Sequence, residues 1–138
     1  MNRPPVIVDT NVLVAGLLTR NPASPVARVL DGMLAAAWPV VLSEALLAEY
    51  RAVLLRPGLK RLHGLSTDEV DELLTAIAQH AIVLQPAQGP RAPDPGDQML
   101  WDLLATRGDL RLVTGDQALM QDPGMAGRVL SARALVGD

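Results

Sequence analysis

Val6-Ile7-Val8-Asp9-Thr10-Asn11 is the stretch on which the fold turns. A β-branched triplet behind Pro4-Pro5 reads as a buried strand, because parallel strands covered on both faces show continuous apolar residues in place of alternation. The strand ends at Asp9. From Val12 to Leu18 the chain is apolar and suits a helix that follows the turn directly, with Asn21-Pro22 as its stop signal. Ser24-Pro25 opens the next helix with a preferred cap and first residue, and Val26, Val29, Leu30, Met33 and Leu34 form one apolar face on it.

The same alternation continues. Pro39-Val40-Val41-Leu42 reads as a second buried strand, and Ser43 caps a helix with Leu46, Leu47, Tyr50, Val53 and Leu54 on one face, stopped by Arg56-Pro57-Gly58. After a short basic stretch, Ser66-Thr67-Asp68-Glu69 fits a capping box, and Val70, Leu73, Leu74, Ile77 and Ala78 give another core stripe. Ala81 to Leu84 reads as a third strand. The segment from Gln85 to Gly96, with Pro86, Pro90, Pro93 and Pro95, is a surface loop that delivers the chain to Asp97. Leu100, Leu103 and Leu104 mark a helix closed by Gly108. A strand from Leu110 to Thr114, the turn Gly115-Asp116 and a last strand at Val129-Leu130 follow. Strands alternating with helices indicate βαβ units, hence an α/β fold with a parallel sheet and helices on both faces.

With 138 residues, 49% of them apolar and 20% charged, the chain has the profile of a single domain over residues 1–138. At this size folding buries roughly 68% of the unfolded surface, enough for one core without staples. The absence of cysteine excludes disulfides, Cys-ligated zinc and thiol nucleophiles, and gives no argument for an oxidising compartment. Met1 to Pro5 lead to the charge at Asp9 with only one apolar triplet between, so no signal-peptide core is expected and a cytoplasmic location is the default. No stretch approaches the about 20 apolar residues of a membrane span. A net charge of -3, from 15 acids and 12 bases, speaks against a dedicated non-specific nucleic-acid binder. Contact with nucleic acid would run through a local patch or through metal ions.

Sites in open parallel sheets form outside the carboxyl ends of the strands. Asp9 follows the first strand, Ser43 the second, and Asp116 the strand that ends at Thr114. Glu49 lies six residues into the helix opened by Ser43, about 9 Å along its axis, and can overhang the same edge. Asp97 opens its own helix, where free N–H groups favour negative charge. Four acids, Asp9, Glu49, Asp97 and Asp116, can therefore converge, and hard divalent cations, Mg²⁺ or Mn²⁺, are the natural neutraliser of such a set. The two histidines, His63 and His80, fall in unrelated segments, which argues against zinc. Two such ions about 3.5 to 4 Å apart would suit in-line attack of water on a phosphodiester.

Plainer explanations exist for single residues. Asp9 and Asp97 can serve as helix caps, Asp94 as a turn residue before proline, and Glu44 as an acid answering the helix dipole. Arg51, Arg56, Lys60 and Arg61, with His63, form a basic stretch without an acid. Each alone reads as solvated surface, and together they could hold RNA phosphates beside the acids. Trp38, Tyr50 and Trp101 are too few to form a base-stacking platform, and Trp101 reads as a core or interface residue.

Val6-Ile7-Val8-Asp9-Thr10-Asn11, Ser43 with Glu49-Tyr50, Val53-Leu54 and Arg56-Pro57, Asp94-Pro95 with Asp97, and Thr114-Gly115-Asp116 together resemble PIN-domain proteins. The resemblance is greatest to the VapC-like ribonucleases, toxins of bacterial toxin-antitoxin systems, and runs from about Val6 to about Leu130. It implies a PIN-like three-layer α/β/α fold with a small central parallel sheet, and a Mg²⁺- or Mn²⁺-dependent endoribonuclease. Asp9, Glu49 and Asp97 look like the core metal ligands and Asp116 like the fourth acid, with Asn11 and Thr114 holding carboxylates in place. The implied partners are an RNA substrate, a small antitoxin that blocks the crevice, and a second copy of the chain. One departure is Ala118, where the family often carries a further acid, so a second metal would bind weakly or only with substrate. The alternative expectation is a catalytically weak PIN-like module that acts mainly by binding protein. A flavodoxin-like phosphatase or receiver domain also places acids at strand ends, but Lys60 is the only lysine and stands in no suitable relation to them.

Overall fold

Val6–Val8 form strand β1, its three side chains fully buried, in the computed structural model, which describes residues 4–137. Met1 to Arg3, on which the expectation of no leader partly rests, lie outside these residues, as does Asp138. After β1 come α1 (Thr10–Leu18), α2 (Pro25–Ala35), β2 (Val41–Leu42), α3 (Glu44–Leu54), α4 (Pro57–His63), α5 (Thr67–His80) and β3 (Ile82–Val83). A 3-10 turn at Pro95–Asp97 leads into α6 (Gln98–Thr106), followed by β4 (Arg111–Val113), α7 (Gln117–Gln121), β5 (Val129–Leu130) and α8 (Ala132–Val136).

All strand pairs are parallel. β4 lies between β1 and β5, with Val8 beside Val113 and Val113 beside Leu130. β2 pairs with β3, and a single bridge, Val6 to Val40, joins the two ladders, with the Val6 N–H donating to the Pro39 carbonyl at 2.9 Å. The order is thus β3-β2-β1-β4-β5. Since parallel crossovers are right-handed, the outward run from β1 to β3 and the return run through β4 to β5 carry their helices on opposite faces. This is the expected α/β architecture, a small parallel sheet flanked by helices, with every strand end that precedes an acid on one edge.

Local sequence explains the helices. Ser24, Ser43 and Ser66 accept hydrogen bonds from Ala27, Leu46 and Glu69 N–H, and the Glu69 carboxylate in turn accepts the Ser66 N–H, completing the expected capping box. Three readings are corrected by the structure. The first helix begins at Thr10, two residues earlier than the apolar run, because Asp9 itself stands at its cap position. The basic stretch after Arg56 is a helix, α4: Pro57 not only ends α3 but also opens α4, which closes on Gly64 in the left-handed conformation at φ 72°. α7 and α8 were not anticipated, since five residues leave no periodicity to read. β3 is present, but as an edge strand its Ile82 and Val83 are exposed.

α1 and α2 cross at Gly16, where a Cβ would stand 2.6 Å from the Val26 carbonyl oxygen. The obstacle is backbone and cannot rotate away. Gly16→Ala is therefore expected to destabilise the fold by about 1 to 3 kcal/mol, although alanine favours helix, because overpacking outweighs propensity. Urea denaturation of the two proteins measures it, and an unchanged or raised midpoint would show that the helices can part at no cost.

Candidate active site

The register of β1 against β4 sets the first acid. Asp9 leaves β1 as Thr114 leaves β4, and both are buried. Asp9 N–H donates to the Val113 carbonyl at 2.9 Å, and the Thr114 hydroxyl donates to Asp9 Oδ2 at 2.7 Å. The same hydroxyl oxygen accepts the Asp116 N–H at 3.0 Å, so its one proton is committed to Asp9. Burial lifts the Asp9 carboxyl above the ordinary aspartate range, against the Thr114 hydroxyl and the amides of Asn11 and Thr10, while the charge of Asp116 lifts it further.

Asp116 is half-buried at the cap of α7, where its Oδ1 accepts the Ala118 N–H at 2.9 Å. Glu49 reaches in from α3, and Thr10 Oγ1 donates to its Oε2 at 3.4 Å. Next to Glu49, the fully buried Tyr50 donates its hydroxyl proton to the carbonyl of Val8, the residue before Asp9. That bond holds the acid-bearing helix against the end of β1. Burial lifts the Tyr50 phenol above its usual range, aided by the Asp9 charge, so it stays a donor.

Asp97 closes the group from the start of α6. Its carboxyl is pushed up to about 6, first by partial burial and then by the charges of Asp9, Asp94, Asp116 and Glu49. Charges from distant parts of the chain thus bear on Asp97 through space. Among the described residues, no three Asp, Glu or His side chains are close enough as placed to form a ready metal cage. The donor chemistry nevertheless fits a hard divalent cation: oxygen ligands only, two of them steadied by threonine hydroxyls.

The side chains of the remaining expected residues make no hydrogen bond to the four acids among the described residues. The Asn11 side chain is exposed and makes no hydrogen bond to the acids among the described residues. Asp94 takes the Gly96 N–H at 2.9 Å, the turn role. Arg51 is turned to α5 and paired with Asp71 at 2.8 Å, so its charge is already answered away from the acids. Lys60 Nζ donates to Thr67 Oγ1 at 3.1 Å, and Arg56 and Arg61 are exposed at and on α4. His63 ties Leu54 O to Leu65 N–H and serves the α3–α4 corner. Reading the sequence missed the hydroxyls of Thr10 and Tyr50. Thr10 sits beside Asp9 in the motif, but nothing in the sequence shows that Tyr50 turns its ring inward to Val8.

A family model described as PIN domain matches residues 5–118 of the chain, and PIN domains are generally nucleases, that is, hydrolases. PIN nucleases typically use divalent metals. No curated protein matches the chain.

Two consequences are measurable without substrate. Asp97 has a folded-state value of about 6 against 3.8 for the ordinary group, so the fold binds its proton more tightly than the unfolded chain does. The stability this gives is full below the ordinary value and lost as pH rises through the folded one. In metal-free buffer, Asp97→Asn is therefore expected to be more stable than wild type near neutral pH, by on the order of 1 kcal/mol after allowance for solvent screening. The gap should close around pH 4, where both side chains are neutral. Chemical denaturation at several pH values decides; a gap of the same size at every pH would contradict the electrostatic origin. Tyr50→Phe, which removes only the hydroxyl, should cost roughly 1 to 2 kcal/mol in the same assay.

Proposed function

The chain belongs to the PIN-domain family, and on that premise we propose that it is a metal-dependent endoribonuclease, hydrolysing RNA phosphodiester bonds as the toxin of a toxin-antitoxin pair. The observation that carries the reading is the placement of Asp9, Glu49 and Asp116 at one sheet edge, held through the Thr10 and Thr114 hydroxyls, with Asp97 near enough to feel their charges. In this reading Asp9, Glu49, Asp97 and Asp116 hold Mg²⁺ or Mn²⁺. Held there, the cation would supply positive charge for the phosphoryl oxygens and would lower the pKa of water toward neutrality.

The chain's own residues do the positioning. Thr114 keeps Asp9 aimed and, through the Asp116 N–H, sets the start of α7. Thr10 restrains Glu49, and Tyr50 fixes α3 against Val8. Arg56, Lys60 and Arg61 are the basic groups that would meet RNA phosphates, whereas Arg51 would first have to leave Asp71. The partners in this reading are RNA, a small antitoxin that covers the crevice, and a second copy of the chain, in the cytoplasm. No helix among the described residues is long and apolar enough to cross a membrane.

A second reading has its own support: Ala118 stands where a further acid is common in the family, and the acids as placed form no ready cage. It makes the chain a catalytically weak module that binds a partner protein. Cleavage of a mixed RNA panel with Mn²⁺ or Mg²⁺, with EDTA as control, separates the two. Wild type should cut only with metal, Asp9→Asn and Asp97→Asn should lose activity, and Thr114→Val should weaken metal activation by roughly tenfold or more while Thr114→Ser retains it. Wild type inactive on every RNA, or variants equal to it, would move the binding module ahead.

A further inference from the structure

The proline-rich segment 85–96 is fastened along one stripe of α6. Gln98, Asp102 and Thr106 are four residues apart and lie one above another on the helix. Each takes a backbone N–H of the segment at 2.9 Å: Ala92 donates to Gln98 Oε1, Gly89 to Asp102 Oδ1, and Ala87 to Thr106 Oγ1. Gln98 Nε2 also donates to the Pro90 carbonyl at 2.9 Å and to Asp102 Oδ1 at 3.0 Å, so the stripe holds itself together as well as the strap. Gly89 allows the close approach, since a Cβ there would lie 2.7 Å from the Trp101 carbonyl oxygen. Prolines at 86, 90, 93 and 95 fix φ and remove donors, leaving the strap little scope for structure of its own.

The strap ends at Asp97. Its last residues turn through Asp94, whose carbonyl accepts the Asp97 N–H at 2.9 Å. Asp9, Glu49 and Asp116 each have a hydrogen bond to the carboxylate itself, whereas the Asp97 carboxylate has none among the described residues. Asp97 is therefore placed by its backbone alone, at the joint between the strap and the helix to which the strap is fastened.

We propose that Gln98 and Asp102 are positioning residues that set Asp97 at the acidic crevice by fastening the strap to α6, and so govern how tightly the crevice holds a divalent cation. This rests on the reading of Asp97 as a metal ligand. The fastening and the cation then stabilise each other, because coupling between two binding equilibria is reciprocal.

The test is Mn²⁺ binding by electron paramagnetic resonance, with circular dichroism to verify folding and amide hydrogen exchange with and without Mg²⁺. Asp102→Ala and Gln98→Met are expected to weaken Mn²⁺ binding roughly tenfold, and Asp102→Asn, which keeps the Oδ1 acceptor for Gly89, to stay within about twofold of wild type. In wild type, Mg²⁺ should slow exchange of the Ala87, Gly89 and Ala92 amides by about threefold or more. A merely structural stripe would lower the melting temperature of the variants without moving Mn²⁺ affinity. Wild-type affinity in folded Asp102→Ala and Gln98→Met overturns the proposal, and so do strap amides indifferent to Mg²⁺ in a wild type that binds it, a comparison that needs no variant to fold. A wild type that binds neither ion instead overturns the metal-nuclease reading, and the positioning role falls with it.

Discussion

The parallel pairing of β1 with β4 places Val8 against Val113, and therefore brings Asp9 and Thr114 out of the sheet side by side. Nothing else in the crevice could be arranged without that register. A slip of one residue would turn Asp9 toward the opposite face and separate it from the hydroxyl to which it is bonded. The Thr114 oxygen also holds the Asp116 amide, so one side chain fixes the position of one acid and the backbone of another. Hydrophobic burial of β1 and β4 enforces the register, since the side chains of Val6, Ile7, Val8, Leu112 and Val113 are all fully buried. The core and the polar edge are thus two results of one alignment.

Four acids at one edge oppose folding, and the protein tolerates them by unequal treatment. Asp9 is buried deepest and compensated by hydrogen bonds. Glu49 and Asp116 are half-exposed, each with a single donor. Asp97 has no donor to its carboxylate among the described residues, and partial burial, with the charges of the others, raises its proton affinity. Arg51 and Arg107 are engaged with Asp71 and Asp109, away from this edge.

Much of this was legible from residue order. A continuous β-branched run marked β1, serines followed by periodic apolar residues marked α2, α3 and α5, and acids after strand ends marked Asp9 and Asp116. What stayed illegible shares a physical reason: it depends on which way a side chain faces in three dimensions. Tyr50 reads as any core aromatic until its hydroxyl is seen on Val8. Gln98, Asp102 and Thr106 carry no periodic signal of their own, and only the structure shows that they face the strap backbone. α4 was hidden because Lys60, Arg61 and His63 interrupt its apolar residues, and Leu62 points outward. Arg51 drew attention as a phosphate ligand, and only the neighbouring helix shows that its partner is Asp71.

The two ladders of the sheet meet through one bridge, Val6 to Val40. Asp9 and Asp116 belong to one side of this seam, while Glu49 rides on the helix that follows β2 on the other. The seam is crossed near the crevice by two side-chain bonds, from Thr10 to Glu49 and from Tyr50 to Val8. The spacing of Glu49 from Asp9 is therefore set by side-chain bonds across the seam and by no rung of either ladder, so a change of one hydroxyl can alter the width of the crevice while the sheet stays as it is.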